Sequence, residues 1–301
     1  MLTQSDKIKS RRIQRFVLWS LVATYTLLLP YAITIYNVIE KHFSSRIAGK
    51  VPLVIILIFG IVYIVAVIKM KKGIKSWLFL LPCTIIVYIF LRLEPNPNKH
   101  IHIPEYIAMA WLLFEALSLD YKGKGIFFLV FICSGMLGIV DELMQGILPD
   151  RHYGWHDMVM NSAATVIGIF TLAGLKTLPS GDWTWIDGFT QLKKTLAINL
   201  FGAVGAMFSC VYLFEVKAYL TFGGTYPNWL LGWNGLFMVA GLIVIFYPKF
   251  LGELVHSKND RETSRSDQTV TARLWILCPL VILIVMHSLV VLTALSGFTF
   301  S

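Results

Sequence analysis

Long apolar runs, broken by short polar connections, recur along the whole chain. About 20 apolar residues are needed for a helix to cross the ~30 Å hydrocarbon layer of a bilayer. The runs predict nine such spans, roughly at 16–38, 51–69, 76–93, 103–119, 125–145, 157–175, 194–216, 229–247 and 273–298. The expected fold class is therefore all-α, a polytopic helical membrane protein with about nine transmembrane helices. Pro30, Pro82 and Pro279 fall inside or near span ends, where neighbouring helices can satisfy the carbonyls they free. The basic head followed by an apolar run at 16–39 is too long for a signal-peptide core, and no small-x-small cleavage site follows it. It reads as a retained first span.

Composition agrees. Hydrophobic residues make up 56% of the chain and charged residues only 14%, against about 25% charged in soluble domains. The net charge of +9 would suggest nucleic acid in a soluble protein. Here the basic residues sit in loops beside the spans, and no basic patch interleaved with stacking aromatics lies outside them. No nucleic-acid partner is expected; the partner is the lipid bilayer. With the N-terminus inside, 19 of the 26 lysines and arginines fall in inner connections and 7 in outer ones. That excess predicts a cytoplasmic N-terminus and an extracytoplasmic C-terminus. Connections 92–102 and 146–156 then lie on the outer face. Cys83, Cys133, Cys210 and Cys278 all fall inside predicted spans and read as small apolar thiols. The inner connection 177–193, with Trp183 and Trp185 among its aspartates, reads as an interfacial aromatic segment, and 248–272 as a polar loop.

One stretch departs from this apolar background. Residues 138–161 gather carboxylates, an arginine, histidines and amides at the facing ends of two apolar helices. Ionisable groups near lipid depth are costly and mark functional sites by default. On the fifth span Gly138, Asp141, Glu142 and Gln145 stand three or four apart and share a face. Gly135 and Gly138 would allow a close helix approach. Gly146 and Pro149 are expected to end that helix. On the sixth span Asp157 begins the helix and Asn161 follows one turn later, with Ala164, Thr165 and Gly168 continuing the face. On the fourth, His102 and Glu105 are three apart, with Pro104 expected at the first helical position. All three helices carry these residues toward the same end. A ring of His102, Glu105, Asp141, Glu142, Gln145, Arg151, Asp157 and Asn161 is the expectation.

Each member also has a plainer reading. Glu105 and Asp157 suit helix N-termini for their charge alone. Gln145 and Asn161 suit hydrogen bonds between helices, and Arg151 a loop ion pair. His152 and His156 read as facing solvent. Glu115 reads as reaching toward the interface, and His287, alone in mid-span, as hydrogen-bonded to a neighbouring helix.

The spacing His-x2-Glu-Tyr at 102–106, Gly-x2-Asp-Glu-x2-Gln-x3-Pro-x-Arg at 138–151 and Trp-x-Asp-x3-Asn at 155–161 resembles the VanZ family of membrane proteins. The resemblance covers about 75–176. His100 also precedes the Glu-Tyr pair, but spacing favours His102. The family's polar positions fall on His102, Glu105, Tyr106, Asp141, Glu142, Gln145, Pro149, Arg151, Asp157 and Asn161, with Trp155 in the third motif. The resemblance implies a four-helix core at 75–176, flanked by two helices at 1–74 and three at 177–301. It also implies a bacterial cell-envelope protein of the plasma membrane, linked to resistance to glycopeptides of the teicoplanin type.

Two functions follow as expectations. In the first, an enzyme acts on an anionic lipid-linked or cell-wall-related molecule. Arg151 and His102 would hold a phosphate or carboxylate, and Glu105 or Glu142 would exchange protons among Asp141 and Asp157. Gln145, Asn161, Trp155 and Tyr106 would contact the substrate, and clustered carboxylates would suit a divalent metal such as Mg²⁺. In the second, the same ring binds an envelope molecule without turnover, or the protein is a transporter or flippase of a lipid-linked precursor. A purely structural role is the third reading.

Overall fold

The computed structural model describes residues 4–121, 123–148, 151, 153–178, 193–220, 226–247 and 263–296. Among them every regular element is helical and no strand occurs. The chain begins with α1 (Gln4–Leu28), a 3-10 turn at Leu29–Tyr31, α2 (Ala32–His42), the single turn α3 (Ser45–Ala48) and α4 (Val51–Lys69). It continues with α5 (Ile74–Leu78), α6 (Leu80–Leu93), a second 3-10 turn at Pro97–Ile101, α7 (His102–Ser118), α8 (Ile126–Ile147) and α9 (Trp155–Leu175). Three further helices follow: α10 (Lys193–Leu220), α11 (Asn228–Phe246) and α12 (Thr263–Ser296).

Proline accounts for the breaks in the first and third spans. Its ring lacks an N–H and collides with the carbonyl four residues earlier. Pro30 lies inside the 3-10 turn that separates α1 from α2. Pro82 stands four residues after Leu78, the last residue of α5. Pro279 is carried inside α12.

Eight segments among the described residues are long and apolar enough to cross a membrane: Lys9–His42, Ser45–Lys69, Ile74–Leu93, Ile126–Ile147, Trp155–Leu175, Thr195–Glu215, Asn228–Phe246 and Thr271–Ser296. They correspond to eight of the nine expected spans, consistent with a multi-pass membrane protein. The remaining expected span, 103–119, falls on α7. At 17 residues it is about 25 Å long, the lower end of what a span requires. Eleven of its residues are buried, including Ile103, Met109, Ala110 and Leu113 at 0–1% exposure. A helix so enclosed has little need to match lipid thickness. By contrast α4 presents Leu53, Val54, Leu57, Ile58, Ile61, Val62, Val65 and Ile68 outward, an apolar face that suits acyl chains rather than water.

Two compact units divide the chain. The first holds Met1–Leu119, Lys124–Gly138 and Trp155–Pro179; the second holds Asp120–Gly123, Ile139–Gly154 and Ser180–Ser301. The chain passes from one to the other inside α8.

In the first unit the most extensive helix packing is α7 on α9, and small residues make it close. A Cβ added at Gly168 would stand 2.7 Å from the Ala110 Cβ and 3.1 Å from the Ile107 carbonyl oxygen. This is the close backbone approach that small residues permit in membrane helices. Trp111 Nε1 donates to Thr171 Oγ1 across the same pair at 2.9 Å. An apolar core of Cys83, Phe90, Ile103, Ile107, Met160 and Ile167, backed by Ile56 and Phe59, joins α4, α6, α7 and α9. At the other end, Tyr63 OH donates to the Ser76 carbonyl and Ser76 Oγ to the Gly174 carbonyl, both at 2.6 Å. A Cβ at Gly174 would meet the Tyr63 hydroxyl at 2.1 Å, so only glycine fits. Lys176 pairs with Glu115 at 2.7 Å, both about 40% exposed; such a solvated pair adds little stability.

The second unit contains α10, α11 and α12, which pack on one another. A polar network crosses them. Asn234 Nδ2 donates to Ser209 Oγ at 2.9 Å and to the Leu230 carbonyl at 2.7 Å. The two His287 ring nitrogens face Asn234 Oδ1 and, at 3.1 Å, the Gly202 carbonyl. Ser209, Asn234 and His287 are all fully buried. His287 thus has the hydrogen bonds to neighbouring helices expected of a lone mid-span histidine. The four cysteines carry no disulfide.

Candidate functional site

The first unit concentrates charge where α6 ends and where α7 and α9 begin. Glu94 caps the C-terminus of α6. Pro95 and Pro97 flank Asn96, and the chain turns there so that the Asn96 N–H donates to Glu94 Oε1 at 2.8 Å. The 3-10 turn that follows carries Lys99 and His100. Lys99 Nζ reaches both oxygens of Asp157, at 2.9 and 3.0 Å. His100 Nε2 contacts the Glu94 carbonyl at 3.0 Å.

Asp157 lies in the first turn of α9 and is 4% exposed. A carboxylate there is favoured by the helix dipole as well as by Lys99. The plain reading of Asp157 as a helix-end charge and the functional reading therefore share one geometry. The neighbouring residue on the other side, His156, contacts Glu94 Oε2 through Nδ1 at 2.9 Å. His156 is 46% exposed in its side chain and Glu94 only 6%. So the expectation that His156 faces solvent holds for its exposure but omits its ion-pairing partner.

On α7 the helix starts at His102 itself, which puts Pro104 third rather than first, still inside the first turn where its missing N–H is harmless. His102 Nδ1 lies 3.5 Å from Glu105 Oε2, with the two side chains 7% and 12% exposed. The Glu105 carbonyl accepts from Tyr25 OH at 3.0 Å, so α1 braces this turn. Tyr106 is fully buried. A Cβ at Gly138 would stand 3.4 Å from Tyr106 Cε1 and 3.3 Å from Asn161 Cβ, so α8 approaches both side chains through a glycine. Asn161 is fully buried, and neither its Oδ1 nor its Nδ2 has a hydrogen-bond partner among the described residues. One turn deeper Ser134 and Thr165 hydroxyls meet at 2.7 Å. Trp155, the first residue of α9, is 39% exposed.

The second unit holds Asp141, Glu142, Gln145 and Arg151. Asp141 and Glu142 are fully buried and Gln145 is 2% exposed. Gln145 Nε2 donates to Glu142 Oε1 at 3.4 Å, and Arg151 Nη2 donates to Gln145 Oε1. The Gly154 N–H donates to Glu142 Oε2 at 3.1 Å. In the connection after α8, Arg151 and Gly154 are thus tied to the last turns of that helix. α8 runs through Gly146 to Ile147, two residues beyond the expected end at Gln145. Tyr153 anchors the same connection: its hydroxyl donates to the Cys210 carbonyl at 3.3 Å and its ring packs near Phe214. Burial, reinforced by Cys210 and then Glu142, pushes the Tyr153 phenol far above its usual range, so it stays a neutral donor. Pro149 and His152 lie outside the described residues.

No protein-family model, curated protein or solved structure matches the chain. The chemistry of the site rests on its own geometry.

In the first unit that geometry joins His102, Glu105, Asp157 and Asn161, four of the residues singled out by helical spacing, with Tyr106 beside them. Glu94 and Lys99 were missed. Both lie in the connection 92–102, where no helical period marks which residues point inward. The available signal was a charged residue on each side of a Pro-Asn-Pro turn that leads directly into the His102–Tyr106 motif. Chemically, the cluster offers a lysine ammonium, three carboxylates and three imidazoles at the end of an apolar bundle. It can hold a cation, hydrogen-bond a polar headgroup, or pass a proton between His102 and Glu105.

Proposed function

We propose that this chain is a VanZ-like integral protein of the bacterial plasma membrane, with its N-terminus in the cytoplasm and its C-terminus outside. Its cluster at the starts of α7 and α9 binds the polar headgroup of an anionic lipid-linked or cell-wall-related molecule at the extracytoplasmic face. Lys99 meets the anionic group, while Glu94, Glu105 and Asp157 accept from hydroxyl or amide donors. His102 and Glu105 stand ready for proton exchange. The observation that carries this reading is the burial of Glu94, His102 and Asp157, at 4–5% exposure, beside helices of membrane-spanning character. Charges so placed are costly and ordinarily serve a ligand or proton path. Asn161, buried with an amide that no described residue engages, adds a group suited to a ligand or an ordered water.

The reading is tested by susceptibility to teicoplanin in a bacterial host carrying the gene, with membrane expression matched by immunoblot. Asp157→Asn, Glu105→Gln, Glu142→Gln and Arg151→Lys are compared with the native chain. Loss of protection in the Asp157 and Glu105 variants at normal expression supports the first-unit cluster as the site. Unchanged susceptibility in all four sinks the headgroup reading and leaves a structural role. Loss confined to the Glu142 and Arg151 variants moves the site to the connection after α8.

A further inference from the structure

We propose that Glu94, His156 and Asp157 form a binding site for a divalent transition-metal cation of the zinc class. One ligand atom from each of the three lies within 4.8 Å of the other two. Metal–ligand bonds to carboxylate oxygen and imidazole nitrogen are about 2.0–2.2 Å, so donors at this spacing reach one ion after small side-chain adjustments. The donor set is one imidazole and two carboxylates, a combination that suits borderline metals such as Zn²⁺, Mn²⁺ and Co²⁺ better than Mg²⁺.

Three features make this more than proximity. First, the carboxylates are built in. Glu94 is 5% and Asp157 4% exposed, and Glu94 is oriented by the Asn96 N–H on its other oxygen, the outer support that metal ligands ordinarily have. Second, the site already attracts positive charge. The Lys99 ammonium lies on both Asp157 oxygens, and the His156 ring lies on Glu94. A dication brings twice the charge of the Lys99 ammonium it would displace. Lys99, one-third exposed, has room to swing aside, and the half-exposed His156 gives the ion a way in. Third, a residue bonded to the Glu94 backbone carries an unmet polar atom. His100 is held to the Glu94 carbonyl through Nε2, while its buried Nδ1 has no partner among the described residues.

In this arrangement Lys99 is an internal competitor of the metal. Removing it should tighten binding, whereas a substitution that only damaged the fold would weaken it. The test is calorimetric titration of the untagged full-length protein in detergent with ZnCl₂, with MgCl₂ as comparison. One saturable zinc site is expected. His156→Gln should weaken it at least tenfold, and Lys99→Met should tighten it about tenfold. His156 is exposed enough that its substitution leaves folding intact, which a thermal melt verifies, so that arm stands even if Lys99→Met unfolds. The proposal is overturned by the absence of saturable zinc binding, by zinc affinity unchanged in His156→Gln, or by magnesium binding as tightly as zinc. The site shares Asp157 with the proposed headgroup site. Its readout needs no envelope molecule, so drug protection and zinc binding can fail separately.

Discussion

Breaking the Lys99–Asp157 pair one side at a time measures how strongly the cluster is held together. Lys99→Met keeps the length of the side chain and removes its charge; Asp157→Asn keeps the shape and removes the other. The ammonium lies 2.9 and 3.0 Å from the two carboxylate oxygens. Two unit charges about 4 Å apart attract by about 4 kcal/mol at an effective dielectric near 20. Asp157 is almost wholly enclosed, but a third of the Lys99 side chain meets solvent. Exposed pairs contribute only ~0–1 kcal/mol, so the coupling should fall between, at about 2 kcal/mol. Lys99→Met alone leaves a buried carboxylate with less compensation and is expected to destabilise by about 2–3 kcal/mol. Asp157→Asn should be milder, because it leaves no buried charge unpaired and the amide oxygen can still accept from Lys99 Nζ. The assay is reversible unfolding in mixed micelles by SDS titration, on the native chain, both single variants and the double variant. The double variant should be about 2 kcal/mol more stable than the sum of the singles predicts. Additivity to within about 0.5 kcal/mol would show that the two groups do not act on each other, and the cluster would lose its centre.

Two further substitutions test the scaffold. Gly168→Ala places a Cβ 2.7 Å from Ala110 and 3.1 Å from the Ile107 carbonyl, so α7 and α9 must part; a loss of about 1–3 kcal/mol is expected. Gly60→Ala on α4 meets nothing within 4 Å and should instead gain up to about 1 kcal/mol from helix propensity. The same micelle titration reads both, and equal effects would contradict the close approach. His287→Leu leaves Asn234 Oδ1 facing an apolar side chain in place of a ring nitrogen. It should destabilise by roughly 1–3 kcal/mol, and Asn234→Leu added to it should recover part of that loss.

Helical periodicity made half of the candidate site readable. Asp157 and Asn161 are one turn apart on α9, and His102 and Glu105 one turn apart on α7, so their shared faces follow from residue spacing. The same holds for Asp141, Glu142 and Gln145, all buried on α8. Lys99, Glu94 and His156 were not readable in this way. Each acts from the end of a helix or from a 3-10 turn, where side-chain direction depends on the particular backbone path rather than on a period. His156 shows the limit well: its exposure could be anticipated from its place in a polar connection, but not that it pairs with a carboxylate 62 positions earlier.

The sequence by itself determined that this chain is helical and suited to a bilayer, because runs of apolar residues leave backbone groups only one way to be satisfied without water. Prolines set where the first and third spans break, through a clash local to four residues. Only the tertiary structure decided which helix is enclosed and which faces outward. The short α7 is wrapped by α1, α4 and α9, and Gly168 and Gly174 permit approaches that their neighbours in the chain do not announce. It alone decided, too, that Lys99 sits on Asp157. Contacts between residues 58 positions apart arise from how several helices fill space together, and no local pattern of residues encodes them.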